Sequence, residues 1–374
     1  MRRKIKVILK GGICALLLCC ALAFAEQKPQ WKGSMTKEGD VIVVKNPSEP
    51  LYKGNILAFK EELSFGGAEA KPGESFAEIG QILLDEKENI FVLDSKDANI
   101  KIFDKAGKYL KTIGKKGQGP GELSQPERIS LFKRKKELMV FEGTRRQLTY
   151  FAADGKFLRS HSTGKMRGIM GKVDSVGNII MTEIIINIPE MRYGLKKFDE
   201  KMNLIAELDS VKVAVDPKIM NPFMSYPYWE IADNDNIVYG FSGTYELQIF
   251  NPQNKVIRKI KKEHDPVEVT EEDRKRISKT SLPYGMKFEG SNTYPAFAEF
   301  YINSQGHIIV GSWRRDKDGK ARFFDIFDTE GRFLACQAIK GSVFAWKGNK
   351  LYSAEEDEEG YQVVKRYDVT WLIK

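Results

Sequence analysis

Residues 89–107 read NIFVLDSKDANIKIFDKAG, and this stretch decides the fold because its pattern recurs along the chain at a fixed spacing. Its apolar run starts at Asn89, an aromatic residue follows 14 positions later at Phe103, and a turn residue follows 18 positions later at Gly107. The same two offsets occur within residues 137–155 and 236–254. A constant offset of this kind marks one supersecondary unit that is used repeatedly.

Each unit contains short apolar runs separated by polar turns. In the clearest unit the runs cover residues 79–84, 90–93, 100–103 and 109–113, and Asp, Asn, Lys or Gly residues separate them. The runs are too short for helices, and they lack the 3.6-residue period of a helix. Four short antiparallel strands that repeat every 40 to 70 residues are typical of the blades of a β-propeller.

The repeats account for six blades. Two units carry longer connections, at 184–192 and 315–320, and the last unit ends before a fourth strand. A strand-like segment at 55–66 precedes the first complete unit, so we predict that it completes the last blade and closes the ring, which leaves no unpaired sheet edge there. The prediction is an all-β, six-bladed β-propeller of four-stranded antiparallel blades at 51–374, with an inserted loop and helix at 264–296.

The N-terminus has the pattern of an export signal. A basic stretch leads into an apolar run that ends in small residues at Ala23 and Ala25. We therefore predict a signal peptide at 1–25, a lead segment at 26–50, and export to the periplasm or the cell exterior without a transmembrane helix in the mature chain. Lipid anchoring at Cys19 or Cys20 is the alternative to soluble export. If the chain is cut after Ala25, Cys336 is the one cysteine that remains, so the mature chain has no internal disulfide.

Composition argues against some classes of function. The 374 residues carry a formal charge of +9, but five of the positive charges lie in the first ten residues and the rest are interspersed with acids. Nucleic-acid binding needs a one-sided basic surface, which this distribution does not provide, so we predict no nucleic-acid partner. We also expect a monomer. Three histidines, His161, His264 and His307, are a poor basis for a zinc site.

Three segments resemble known proteins: 89–94, 100–104 and 113–123. They are similar to NHL-type six-bladed β-propellers and, more closely, to the exported bacterial family of six-bladed β-propeller proteins. The resemblance covers most of residues 51–374. It implies the fold but little about activity, because one fold hosts many functions. Some proteins in the wider superfamily are metal-dependent lactonase-type hydrolases or amidating lyases, so the resemblance leaves open a reaction at a divalent metal held by Asp, Glu and Asn in the channel.

Two kinds of side chain are candidates for ligand binding at the channel mouth and loops. Aromatic rings there can stack on sugars or hold peptide side chains, and a guanidinium can bind a carboxylate. Each candidate also has a structural interpretation, as a ring that fixes a loop to the body or as a surface charge. The candidates are Arg128, Arg145, Tyr228, Trp229, Tyr294 and Phe297.

Most of the recurring aspartates are interpreted as turn formers, because an Asp side chain accepts hydrogen bonds from nearby main-chain N–H groups. This applies to the set Asp94, Asp104, Asp154, Asp199 and Asp328. No metal site and no cofactor is predicted. Calcium binding is left as an open alternative, because residues 316–319 resemble a calcium-binding loop.

Taken together, the sequence favours a binding module over an enzyme. Such a module would recognise a small molecule, a carbohydrate or a protein partner across one face of the ring, with contacts from the inter-blade loops and the insertion at 264–296. The alternative is the metal-dependent hydrolase or lyase.

Overall fold

A computed structural model describes residues 29–278 and 286–373. The predicted signal peptide, including Cys19 and Cys20, and residues 279–285 of the predicted insertion lie outside the described residues. Within the described ranges, no helix has the length and apolar character needed to cross a bilayer.

Three strands precede blade 1: β1 (Ser34–Glu38), β2 (Val41–Asn46) and β3 (Leu57–Gly66). Two of them, β2 and β3, pair with strands that come much later. Blades 1 to 3 then follow in order, and each contains four antiparallel strands that run from the central channel to the rim. Blade 1 contains β4 (Ile79–Leu84), β5 (Ile90–Asp94), β6 (Asn99–Phe103) and β7 (Tyr109–Ile113). Blade 2 contains β8 (Arg128–Phe132), β9 (Glu137–Glu142), β10 (Gln147–Ala152) and β11 (Phe157–Ser162). Blade 3 contains β12 (Gly168–Val173), β13 (Ile179–Asn187), β14 (Glu190–Phe198) and β15 (Leu204–Ala214).

Blades 4 to 6 repeat the arrangement, with additions between blades. Between blades 3 and 4 lies β16 (Ile219–Met220), and between blades 4 and 5 lie helix α1 (Glu271–Ser278) and β21 (Lys287–Phe288). Blade 4 contains β17 (Pro227–Ile231), β18 (Ile237–Phe241), β19 (Glu246–Phe250) and β20 (Val256–Lys262). Blade 5 contains β22 (Glu299–Ile302), β23 (Ile308–Arg315), β24 (Ala321–Phe327) and β25 (Phe333–Lys340). Blade 6 contains β26 (Ser342–Lys347), β27 (Lys350–Glu356), β28 (Gln362–Trp371) and, from the N-terminal side, β3.

The ring closes as the sequence predicts. Strand β3 pairs antiparallel with β28, with Leu57 opposite Trp371 and Gly66 opposite Val363. The six-bladed fold and its closure by the N-terminal strand are therefore confirmed. Closure stabilises the whole domain, because the first and last blades would otherwise each present an open side.

A buried glutamine fixes the beginning of the closing strand. Gln337 on β25 is only 3% exposed. Its Oε1 accepts hydrogen bonds from the main-chain N–H groups of Ile56 (2.9 Å) and Leu57 (3.0 Å), and its Nε2 donates to the Leu57 carbonyl (2.7 Å). The side-chain amide thus takes the place of a main-chain partner and links blade 5 to the strand that closes blade 6.

We expect Gln337→Leu to lower the free energy of unfolding by about 2–4 kcal/mol, because three buried main-chain groups lose their partner. Thermal melting measures the loss, and hydrogen exchange of a peptide that includes Ile56 and Leu57 locates it. Gln337→Glu is the matched variant, because it keeps an acceptor for the two N–H groups but cannot donate to the Leu57 carbonyl. Unchanged exchange at this peptide in Gln337→Leu would contradict the assigned role.

The recurring phenylalanines are buried between blades, and most of the recurring aspartates have the turn role predicted for them. The aspartates Asp104, Asp199 and Asp328 each accept hydrogen bonds from the main-chain N–H groups two and four residues further on, and Asp154 accepts one from the N–H group two residues further on. The phenylalanines are Phe103, Phe151, Phe198, Phe250 and Phe327.

Asp94 differs from the turn aspartates. It is fully buried at the end of β5, where it accepts hydrogen bonds from the main-chain N–H groups of Ala77 (2.9 Å) and Glu78 (3.2 Å). It also forms a buried ion pair with Lys101 at 2.8 Å. Asp94 therefore anchors the segment that leads into the inner strand of its own blade.

The segment before the ring also forms strands. β1 and β2 make a hairpin, and β2 lies parallel to β20, so that blade 4 becomes a six-stranded sheet. The segment between blades 3 and 4 and the insertion at 264–296 meet through a short parallel pairing of β16 with β21. Helix α1 begins after Thr270, whose Oγ1 accepts the Asp273 N–H (3.2 Å) while Asp273 Oδ2 accepts the Thr270 N–H (3.0 Å), which is a reciprocal N-cap.

Candidate functional site

The inner strands of all six blades surround a central channel. They line a cavity of about 920 Å³, which lies within the usual size range of ligand sites. Inner strands begin at the inter-blade loops and end at the first hairpin turns. Turn residues such as Asp85, Asp233 and Asn349 also line the cavity, so it extends to the face of the ring that carries these turns.

One level of the channel is apolar. In each blade, one residue near the end of the inner strand pairs with the first buried residue of the second strand. All six of these inner-strand residues line the cavity. We call this set the apolar ring. It contains Leu84, Leu131, Val173, Ile231, Ile302 and Trp346.

A polar level precedes the apolar ring along the inner strands. Its members stand one or three residues before a residue of the apolar ring, and therefore lie nearer the inter-blade loops. We call this set the polar belt. It contains Arg128, Lys172, Tyr228, Glu230, Glu299 and Tyr301.

Both glutamates of the polar belt are paired with bases. Glu230 contacts Lys172, with Nζ at 2.6 Å from Oε2, and Glu299 forms an ion pair with Arg322. Glu299 also accepts a hydrogen bond from the Tyr301 hydroxyl at 2.7 Å. Burial and this carboxylate hold the pKa of Tyr301 well above its usual range, so Tyr301 stays a neutral donor.

Lys172 is subject to opposing effects. Burial and the positive charge of Arg128 lower the pKa of Lys172. The Glu230 carboxylate in direct contact favours the charged form. Because the contact is direct and only 21% of the Lys172 side chain is exposed, the pair is an ion pair in which Lys172 is protonated.

Arg128 has a different environment. Its Nη1 donates to the main-chain carbonyl of Glu127 at 2.8 Å. Among the described residues, no carboxylate lies within ion-pair distance of its guanidinium. Arg128 also lines a second, smaller cavity of about 440 Å³ together with Pro126 and Glu127. It therefore lies where the large cavity meets the inter-blade loop side of the channel.

Hydrogen bonds between inner strands keep the channel in shape. The Gln81 side chain accepts the N–H of Ile129 (2.7 Å), and the Ser130 hydroxyl accepts the N–H of Val173 (3.0 Å). These contacts join blades 1, 2 and 3 next to the cavity. The site is thus preformed by the scaffold.

The aromatic candidates lie in different places. Tyr228 is in the polar belt, where burial followed by the Glu299 charge raises its pKa to about 12, so its hydroxyl is neutral at physiological pH. Trp229 also lines the cavity, although it is only 5% exposed and its Nε1 donates to Thr182 Oγ1 at 3.0 Å. Phe297 is fully buried, and Tyr294 stacks on Trp313 with ring centroids 4.5 Å apart.

Of the two arginine candidates, only Arg128 reaches the channel. Arg145 donates to the main-chain carbonyls of Glu122 (3.2 Å) and Gln118 (3.3 Å), and its guanidinium lies 3.5 Å from the buried Glu142. It therefore fixes the loop between blades 1 and 2. The described residues of 264–296 do not line either cavity, so the contacts expected from the insertion stay a prediction.

Sequence reasoning missed the other members of the polar belt, Lys172, Glu230, Glu299 and Tyr301. An alignment of the inner strands by register would have found them, because all four precede a residue of the apolar ring by one or three positions.

Comparisons with known proteins agree with this architecture. A family described as 6-bladed beta-propeller matches residues 71–174. The fold is a six-bladed β-propeller. A search among curated proteins finds no match.

Several solved structures have the same fold. A protein described as exported, from Bacteroides fragilis NCTC 9343, is 12% identical with a TM-score of 0.56, covering 88% of this chain and 99% of that chain. A member of the duf4221 family from Bacteroides vulgatus ATCC 8482 is 11% identical with a TM-score of 0.53, covering 85% and 99%. A gluconolactonase from Xanthomonas campestris is 11% identical with a TM-score of 0.45, covering 77% and 88%, a likeness too low to carry a functional argument. At these identities the first two show the fold alone.

The described residues also bear on the metal question. Within 29–278 and 286–373, no group of three or more His, Cys, Asp or Glu side chains is arranged to hold a metal ion. In the segment considered for calcium, Asp316 Oδ1 accepts the N–H of Ala321 at 3.0 Å, as in a hairpin turn.

Proposed function

We propose that this protein is an exported binding module that recognises a small ligand in its central channel. The observation that carries the proposal is the pairing of charges in the polar belt. Both glutamates of the polar belt are committed to bases, whereas Arg128 faces the cavity without a carboxylate partner among the described residues. A preformed cavity with a few convergent polar groups is the usual form of a ligand site.

The same charge state gives less support to the metal-dependent hydrolase or lyase. A divalent cation in the channel would need several free oxygen ligands. Glu230 and Glu299 would first have to release Lys172 and Arg322. The enzyme remains the alternative that the test below distinguishes.

Export is part of the proposal. The predicted signal peptide at 1–25 supports it, and one protein of the same fold is described as exported. The ligand would then be met in the periplasm or outside the cell, where a rigid module can act alone or pass its ligand to a partner.

A thermal-shift screen tests channel binding with organic acids, amines, neutral sugars, short peptides, calcium and zinc, because selective binding to the native state raises the melting temperature. Ala345→Trp places a large ring in the channel, and Ala153→Trp makes the same change in an exposed outer turn. We expect an organic ligand to stabilise wild type and Ala153→Trp but not Ala345→Trp.

Two outcomes would count against the proposal. Ligands that stabilise Ala345→Trp as strongly as wild type would place binding outside the channel. Stabilisation by micromolar calcium or zinc that Ala345→Trp abolishes would favour the hydrolase or lyase.

A further inference from the structure

The polar belt and the apolar ring of the channel together suggest the chemical class of the ligand. Two ion pairs involve the polar belt, Lys172 with Glu230 and Glu299 with Arg322, which lies outside the belt. Among the described residues, Arg128 is the base of the polar belt that has no carboxylate within ion-pair distance.

An uncompensated guanidinium in a partly buried site favours an anion. Arg128 is half-buried and carries five N–H donors in a planar fork, of which one hydrogen bond to the Glu127 carbonyl is accounted for. A carboxylate matches this fork with two parallel hydrogen bonds. Separating a buried charge from water without such a partner is costly, so ligand binding would relieve that cost.

The apolar ring lies next to this charge. Arg128 precedes Leu131 of the apolar ring by three residues on β8, which corresponds to about 10 Å along an extended strand. Beside it, Ile231 and Ile302 offer partly exposed apolar side chains to the cavity. A ligand that satisfies both levels must carry an anionic group at one end and an apolar body at the other.

We propose that the channel binds a small organic acid whose carboxylate contacts Arg128 and whose apolar body lies against the apolar ring. This inference rests on the proposed function, because it names the ligand class of the same channel. It also explains the pairing of both belt glutamates: a free carboxylate beside Arg128 would compete with the ligand.

Isothermal titration with a defined set of probes tests the inference. Octanoate has the required charge and body, octylamine reverses the charge, octanol removes it, and butanoate and hexanoate shorten the body. We expect octanoate to bind, octylamine not to bind, and affinity to rise about fourfold for each added methylene, since burying one methylene contributes about 0.8 kcal/mol.

Variants of Arg128 assign the anion contact. We expect Arg128→Gln to weaken octanoate binding about 10- to 100-fold, the range for loss of a hydrogen bond to a charged group, and to leave octanol binding unchanged. Arg128→Lys, which keeps the charge but not the fork, should give an intermediate loss. Arg134→Gln, at an exposed turn next to the same strand, should bind like wild type. Circular dichroism spectra that match wild type establish that each variant is folded.

The outcomes separate this inference from the proposed function. Equal binding of octanoate and octylamine, or unchanged octanoate binding in Arg128→Gln, overturns the organic-acid inference. A different ligand class that Ala345→Trp excludes from the channel also overturns it, while the binding-module proposal stands. If no probe of any class distinguishes Ala345→Trp from Ala153→Trp, the proposed function itself is wrong.

Discussion

Replacing Asn46 with leucine is expected to lower the free energy of unfolding by about 3–5 kcal/mol, because this one side chain joins three parts of the molecule. Asn46 is 3% exposed at the end of β2. Its Nδ2 donates to the carbonyls of Lys261 (3.2 Å) and Gly331 (2.9 Å), on or beside blades 4 and 5. Its Oδ1 accepts from Phe333 N–H (2.7 Å) and Trp31 Nε1 (3.0 Å).

The size of this effect follows from what the leucine leaves behind. A typical hydrogen bond contributes about 1 kcal/mol net, but a buried group without its partner costs about 1–3 kcal/mol. In Asn46→Leu, the Phe333 N–H and the Gly331 carbonyl lose a partner in the interior. Leucine branches at Cγ as asparagine does and is larger, so the variant leaves no cavity, and the loss reflects unmade hydrogen bonds together with overpacking.

Urea unfolding followed by far-UV circular dichroism measures the change. Asn234→Leu is the matched control, since Asn234 lies in an exposed turn and accepts one hydrogen bond, from the Asn236 N–H at 3.1 Å. We expect that control to change stability by less than about 1 kcal/mol. Asn46→Asp keeps the acceptor but loses the two donors, and should also be destabilised. A loss in Asn46→Leu no larger than that of Asn234→Leu would show that Asn46 does not join the blades.

Local signals explain why the ring could be predicted. The turn role of Asp104 depends on N–H groups two and four residues away, and Phe103 follows its strand at a fixed offset. These signals recur in every clear repeat, so agreement among repeats reinforces each of them. Closure followed from one further consideration, that the last unit is short by a strand while residues 55–66 supply one.

The N-terminal hairpin could not be placed in this way. Val41–Asn46 has the β-branched composition of a strand, but its partner β20 is distant, and the Asn46 contact with Lys261 spans 215 residues. The pairing is parallel, so no turn signal announces it. From sequence alone, 26–50 is therefore predicted only as a lead segment, with no strand and no blade assigned to it.

The channel shows the same division between local and distant information. Arg128 and Tyr228 were predicted because each stands at the start of an inner strand beside an irregular loop. Lys172 and Glu230 were missed because their importance arises from contact between two blades, across 58 residues of chain. The pairing that makes Arg128 the uncompensated cation is thus a property of the closed ring.

Removing the Glu230 carboxylate from its pair with Lys172 is expected to have the second large effect. In Glu230→Gln, the carboxylate that favours protonated Lys172 is removed, and burial and the Arg128 charge remain. We therefore expect the pKa of Lys172, which burial and Arg128 already lower, to fall further in this variant. Competitive acetylation at a series of pH values, with the Lys172 peptide quantified by mass spectrometry, measures this pKa. The exposed Lys133 in the same protein serves as the internal standard.

The shift has a defined consequence for stability. In Glu230→Gln the folded-state pKa of Lys172 lies further below the 10.5 of the unfolded chain than in wild type, so between those two values the unfolded state binds more protons than the folded state. Stability then rises with pH, and the destabilisation relative to wild type is largest below the folded-state pKa of Lys172 and shrinks as the pH approaches 10.5. Removing one partner of a buried ion pair costs about 3–5 kcal/mol, and because 21% of the Lys172 side chain stays exposed we expect about 3 kcal/mol.

Asp235 is a second carboxylate at the channel, and its variant distinguishes direct contact with Lys172 from a general electrostatic effect. Asp235 lines the same cavity, but its Oδ1 accepts the Ser175 N–H at 2.9 Å and it forms no ion pair with Lys172. Asp235→Asn removes the same unit of negative charge as Glu230→Gln, so it should leave the reactivity of Lys172 close to wild type. If both variants lower the pKa of Lys172 equally, or if Glu230→Gln leaves that pKa at its wild-type value, direct pairing with Glu230 is not what keeps Lys172 charged. The ion pair between Lys172 and Glu230 would then have to be rejected, and with it the charge pairing assigned to the polar belt.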